Sequence, residues 1–130
     1  MLCPCHSNIP YQECCKPFHE GKNYTNSLQL MRSRYSAYAL ALADYIIKTT
    51  HHKHADAKIP HAERLKKIQD FCSHTNFNDL VIIEFIDGKD QSYVTFRAIL
   101  DQDGNDISFT EKSLFKKEND IWKYHSGVML

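Results

Sequence analysis

The sequence predicts an α+β fold carrying a small thiol-rich appendage at its start. Three observations lead there. Four of the five cysteines lie within the first fifteen residues. Residues 24–76 place apolar side chains at helical spacing. Residues 79–128 hold four β-rich runs separated by turn residues, and strands joined by short turns pair antiparallel. Helices first and a meander second place the helices on one face of one sheet. The division expected is a metal-binding motif over 1–20 and an α+β domain over 21–130.

In the appendage, Cys3 and Cys5 form a C-x-C pair. After eight intervening residues come the adjacent Cys14 and Cys15. Two thiolate pairs flanking a short loop are what tetrahedral zinc takes as ligands. The intervening stretch His6–Glu13 is too poor in apolar residues to form a core, so a metal would supply its folding free energy. A disulfide framework fits less well. The cysteine count is odd, Met1-Leu2 runs directly into Cys3 with no signal-peptide pattern, and neighbours such as Cys14 and Cys15 pair only with strain. Zinc is therefore the expected cofactor, held by Cys3, Cys5, Cys14 and a fourth donor. Cys15 is the simplest fourth; His6 or His19 are nitrogen alternatives, since zinc accepts three thiolates and an imidazole as readily.

Thr25, Asn26 or Ser27 caps the first long helix. Leu28, Met31, Tyr35, Tyr38, Leu42 and Ile46 then fall on one face, which predicts a continuous helix as far as Ile46. Ala37, Ala39, Ala41 and Ala43 favour helix and allow close packing. Arg32 and Arg34 flank the stripe, either as surface or salt-bridging residues or as groups that frame a pocket or dock the thiol module. His51-His52-Lys53-His54 reads as a solvated loop. Pro60 precedes a second helix with Ile59, Leu65, Ile68 and Phe71 inward and Glu63 paired to Lys67. Cys72, remote from the other thiols, reads as a small buried apolar residue. Asn76–Asp79 ends the helix.

The four expected strands are Leu80–Ile86, Tyr93–Leu100, Ile107–Lys116 and Ile121–His125. In the second, Val94, Phe96, Ala98 and Leu100 share one face. Asp87–Asp90, Asp103–Asp106 and Glu118–Asp120 are the turns.

The 130 residues suffice for one core, and 42% apolar content is that of a folded chain. Lysine plus arginine and aspartate plus glutamate number 16 each. That balance argues against a generally basic nucleic-acid binder. No apolar run is long enough to span a membrane. Reduced cysteines with no leader pattern suit the cytoplasm.

Cys3-Pro4-Cys5-His6-Ser7-Asn8-Ile9-Pro10-Tyr11-Gln12-Glu13-Cys14-Cys15 resembles the SEC-C motif, the zinc module first seen at the C-terminus of the protein-translocation ATPase. It departs at His6 and Asn8, where that motif usually has glycines. Leu30-Met31-Arg32-Ser33-Arg34-Tyr35-Ser36-Ala37-Tyr38-Ala39-Leu40 resembles the hallmark segment of the bacterial YchJ-type family, in which a SEC-C motif precedes an NTF2-like domain. The resemblance implies helices packed in a curved antiparallel sheet, the NTF2-like (cystatin-like) cone. It also implies a partner-docking role for Met1–Pro17.

Such cones enclose cavities in enzymes and non-enzymes alike. The polar candidates for this one are Arg32, Tyr35, Glu84, Arg97, Trp122 and His125. Glu84, if inward, would have a raised pKa and serve as a general base. No Ser/His/Asp order, glycine-rich phosphate loop or HExxH helix accompanies it. The expected function is a zinc-knuckle module binding a protein partner through the knuckle or a small molecule in the cone. The alternative is an enzyme using the same cavity. A weaker third reading is nucleic-acid binding, with Lys16, Lys22, Arg32 and Arg34 on the backbone and Tyr11, Phe18 and Tyr24 for stacking.

Overall fold

Capping and turn chemistry set where the elements begin and end. The computed structural model describes all 130 residues. After a 3-10 turn at Tyr11–Glu13 come α1 (Lys16–His19), α2 (Ser27–Ala39), α3 (Ala43–Lys48), a second 3-10 turn at Ala55–Lys58, and α4 (His61–Ser73). The strands are β1 (Asn76–Ile86), β2 (Gln91–Gln102), the two-residue β3 (Asn105–Asp106), β4 (Phe109–Glu118) and β5 (Ile121–Met129). Asn26 is the cap of α2: its backbone is extended and its side chain accepts the Gln29 N–H at 2.9 Å.

The helix expected to continue to Ile46 breaks at Ala41, whose φ is +58°. The Leu42 N–H reaches the Ala37 carbonyl at 2.8 Å and the Ala41 N–H reaches that of Tyr38 at 3.1 Å. That is a Schellman ending with alanine where glycine is usual. The break turns α3 back onto α2. Ser33 and Tyr45 hydroxyls bond at 2.7 Å, and Arg34 reaches the Ile46 carbonyl at 3.0 Å. In one continuous helix, residues twelve apart would be separated by about 18 Å.

The sheet runs β1-β2-β4-β5, antiparallel throughout, with β3 as a short side pair to β2. Three of the four expected strands are longer than expected, and the third, Ile107–Lys116, becomes β4 at the same length but two residues later; Asn76–Asp79, read as a breaker, opens β1. Two hairpins close through two-residue turns, Asp103-Gly104 and Asn119-Asp120, with positive φ at all four positions. That is the type I′ geometry whose twist matches the strands. Thr50 adds a parallel bridge to Tyr124, so the segment after α3 extends the sheet beside β5. Val94, Phe96, Ala98 and Leu100 are buried on one face of β2, as their alternation requires. They meet Leu30, Met31 and Tyr35 of α2 in the main core.

Helix α2 is buried on more than one side. Ser27, Ser33, Ser36 and Ala37 are fully enclosed alongside the apolar stripe. The second side is covered by the N-terminal thiols: Cys3, Cys5 and Cys15 belong to the same core as Leu30 and Phe115. Helix α4 packs more loosely, with no fully buried residue. Its expected Glu63–Lys67 pair is replaced by Lys67–Asp56 at 4.0 Å, because the 3-10 turn brings Asp56 alongside. The expected solvated loop at His51–His54 is a loop with His52 and Lys53 exposed, but one of its residues departs. His51 is buried, with its N–H on the Tyr124 carbonyl at 2.8 Å and its ring stacked on His52.

Candidate metal centre and cone cavity

The first loop gathers its thiols because two residues adopt left-handed backbone, His6 at φ +62° and Asn8 at +66°. These are the positions where the SEC-C pattern has glycine. Asn tolerates that region readily, and His is also enriched there. An antiparallel bridge between Leu2 and Pro10 and the Cys3 N–H on the Ile9 carbonyl at 2.8 Å close the loop.

The donor sulfurs of Cys3, Cys5, Cys14 and Cys15 all lie within 4.8 Å of one another. Cys5 and Cys14 Sγ are 3.6 Å apart, and Cys14 and Cys15 Sγ 3.9 Å. A disulfide needs about 2.05 Å, and all four are free thiols. A tetrahedral ion with metal–sulfur bonds of about 2.3 Å would set its sulfurs about 3.8 Å apart. The donor set therefore fits a metal ion. Hydrogen bonds from Cys15 above all, and from Ser7, Cys3 and Cys14, hold the Cys5 thiol well below its ordinary range. Its bond to Cys5 first, then burial, pushes Cys15 up; burial pushes Cys14 up. A divalent ion is what lets several thiolates coexist.

Both nitrogen alternatives are engaged elsewhere. His6 Nε2 sits 3.3 Å from the Phe77 carbonyl, and its ring packs edge-on to Tyr35. His19 uses both nitrogens, Nε2 on the Ser33 carbonyl at 2.8 Å and Nδ1 on the Tyr11 hydroxyl at 2.7 Å. Arg32 lies on the module side of α2. Its Nη1 donates to the Cys5 carbonyl at 3.1 Å and lies 3.8 Å from the Cys5 sulfur. The residue offered as a pocket candidate thus docks the thiol module.

A separate cavity of about 340 Å³ lies between α2, α4 and the sheet. Most of its wall is apolar, including Met31, Phe71, Phe96, Leu100 and Phe109. Of the six pocket candidates only Tyr35 borders it, its hydroxyl donating to the Asp79 carbonyl at 2.9 Å. Glu84 is exposed on β1, at the irregular pairing after Ile82. Arg97 points outward to Thr110 Oγ1 at 3.2 Å. Trp122 is core, capped by Lys117 over its ring. His125 is the extra residue of a bulge in β5, which turns it toward His51.

The cavity's polar groups are ones the sequence reading passed over or left open. Arg34 is buried, with its guanidinium 4.7 Å from the Tyr124 ring. Its Nη1 alone serves Ile46 O, Thr49 Oγ1 at 2.7 Å and Thr50 Oγ1 at 3.2 Å. Glu111, also buried, accepts through Oε2 from the Ser113 hydroxyl at 2.5 Å and the Tyr124 hydroxyl at 3.0 Å. Gly127 makes room for it, since a Cβ there would lie 2.3 Å from the carboxyl carbon. The signal for Glu111 was in the register: it shares strand parity with the buried Ser113 and Phe115. A smaller polar compartment of about 210 Å³ adjoins the cavity. It shares Arg34, Tyr38 and Tyr124 and adds His54 and Arg64.

Comparison with known proteins matches residues 26–127 to the family described as YchJ, middle NTF2-like domain. A UPF0225 protein of Vibrio vulnificus (strain CMCP6) is 38% identical over 131 residues, spanning 97% of this chain and 74% of its own. A UPF0225 protein of Vibrio parahaemolyticus is 35% identical over 128 residues, with the same coverage. The solution structure of a SEC-C motif containing protein from Rhodopseudomonas palustris superposes with a TM-score of 0.81 at 27% identity, covering 100% of this chain and 99% of that one. The crystal structure of a SEC-C motif containing protein from Psychrobacter arcticus gives 0.81 at 25%, covering 97% and 81%. A thiol cluster set against an NTF2-like domain, matched by sequence and by fold, places this chain in the YchJ-type family of SEC-C motif proteins.

Proposed function

We propose that this protein is a small-ligand-binding cone braced by a structural zinc knuckle. The carrying observation is the separation of the two sites. Four cysteine sulfurs supply a full tetrahedral set, so a zinc held there has no open position for a substrate. The cavity, on the other side of α2, is an apolar hollow with two buried charged groups, the usual make-up of a ligand site. Cys15 is assigned as the fourth ligand because His6 and His19 are committed to other partners. The knuckle braces the cone because Arg32 and three buried cysteines tie it to α2.

Metal analysis tests the zinc half. Reduced, purified protein is expected to carry about one equivalent of zinc; below about half an equivalent, the assignment fails. Partner docking by the knuckle has one observation in its favour: Leu2 and Ile9 are 60% and 44% exposed on its outer side. Aspartate at both positions should abolish recovery of a specific partner. A partner recovered equally by wild type and variant removes that role.

A further inference from the structure

The geometry points to the chemical class of the ligand: a small amphipathic molecule with an apolar body and a single oxyanion head. The inference rests on the cone being a ligand site, and it is carried by unused hydrogen-bonding capacity.

Arg34 is only 8% exposed. Its three bonds to protein all leave from Nη1, and Nη2 and Nε make none. Yet no side-chain nitrogen or oxygen sealed from solvent lacks a partner. The two free nitrogens therefore open onto space, and Arg34 borders both the cavity and the polar compartment. A guanidinium anchored through one nitrogen, with the others open to a hollow, is built to receive a planar or tetrahedral oxyanion through paired donors. Burial strengthens that contact relative to one in water.

Charge around the compartment has the same sign. Arg34, Arg64 and Lys67 border it, with Asp56 as its only acid. Asp56 lies 4.0 Å from Lys67, at the outer limit of an ion pair. Burial keeps the His54 imidazole below its ordinary pKa, so it adds no cation at neutral pH. The remaining acid, Glu111, lies in the apolar chamber. Two hydroxyls already donate to its Oε2, leaving Oε1 open as an acceptor. An acceptor there admits a ligand hydroxyl and repels a second anionic group. The apolar walls take the body, the guanidinium takes the head, and a dianion with charge at both ends is refused.

The test uses the full-length reduced protein and four probes with the same chain: octanoate, octyl phosphate, octanol and octyltrimethylammonium. Binding is followed by titration calorimetry and by chemical shifts of Ala98, Leu100 and Ile68. Octanoate or octyl phosphate is expected to bind about tenfold tighter than octanol, the scale of one charge-assisted contact. The order of those two then identifies the head. Octanedioate is expected to bind more weakly than octanoate. Arg34→Met would also remove the bonds to Ile46, Thr49 and Thr50, so Arg64→Met and Lys67→Met carry the mutational arm, each reducing the anion preference several-fold. Octanol binding as tightly as octanoate overturns the oxyanion inference and leaves the cavity reading standing. Octyltrimethylammonium binding tightest overturns it through Glu111. No response to any probe removes the ligand-site reading itself.

Discussion

Replacing Ala41 with glycine should stabilise this protein, although it deletes a methyl group. Ala41 ends α2 with φ at +58°, in the left-handed region, and its side chain is exposed. An L-residue held there costs about 1–2 kcal/mol. Glycine removes that cost but loses about 0.5–1 kcal/mol more backbone entropy on folding. The net gain is about 0.5–1 kcal/mol. For 130 residues the unfolding entropy is about 0.27 kcal/mol/K, so the midpoint should rise by about 2–4 °C. Ala39→Gly is the control. Ala39 is the last residue of α2, in right-handed helix. The same change there should lower the midpoint by a similar amount. Thermal denaturation by circular dichroism on the two variants reads both signs. If Ala41→Gly lowers the midpoint, or if both variants move together, the strained ending is not what separates α2 from α3. That ending matters to the cavity because it delivers Ile46, Thr49 and Thr50 to Arg34.

Two further outcomes follow from buried polar groups. Gly127→Ala would put a methyl 2.3 Å from the Glu111 carboxyl carbon and 2.8 Å from the Tyr124 hydroxyl. Displacing that carboxylate should cost about 1–3 kcal/mol, or about 4–11 °C in midpoint; an unchanged midpoint would show that Glu111 is free to move. On the acid side, burial lowers the pKa of His51 and His125, and hydrogen bonds from the His52 ring and backbone lower that of Glu118. All three groups bind protons more weakly in the folded state. Their stabilisation is therefore complete above the ordinary values, 6.5 for histidine and 4.5 for glutamate, and drains as pH falls through the folded ones. Urea midpoints should decline from about pH 6.5 downward, and Glu118→Gln should flatten the lower part of that decline. A profile unchanged by the substitution would show that Glu118 carries no such linkage.

The thiol cluster was legible because cysteine chemistry is local. A C-x-C pair and a C-C pair with eight residues between them can meet within one loop, whatever the rest of the chain does. The β meander was legible for a similar reason, since alternation and two-residue turns are properties of neighbours in sequence. Val94, Phe96, Ala98 and Leu100 fell on the inner face as their spacing required.

What the tertiary structure decided were the relations between distant segments. Alternation along β2 could not say which acid on another strand would be enclosed. Glu84 sits in the most apolar strand and is exposed; Glu111 sits among lysines and is buried, because Gly127 on β5 leaves room above it. Arg32 and Arg34, two residues apart, went to opposite tasks. About 200° of helix rotation separates them, which aims one at the thiols and the other into the cone. Helical spacing, alternation and cysteine pairs are read within a few residues, so the sequence alone determined most of the elements and which four sulfurs could meet, but not the helix break at Ala41 or the start of β1 at Asn76. Burial of a charge depends on what packs over it from elsewhere, so the cavity and its polar groups were decided only when the helices closed on the sheet.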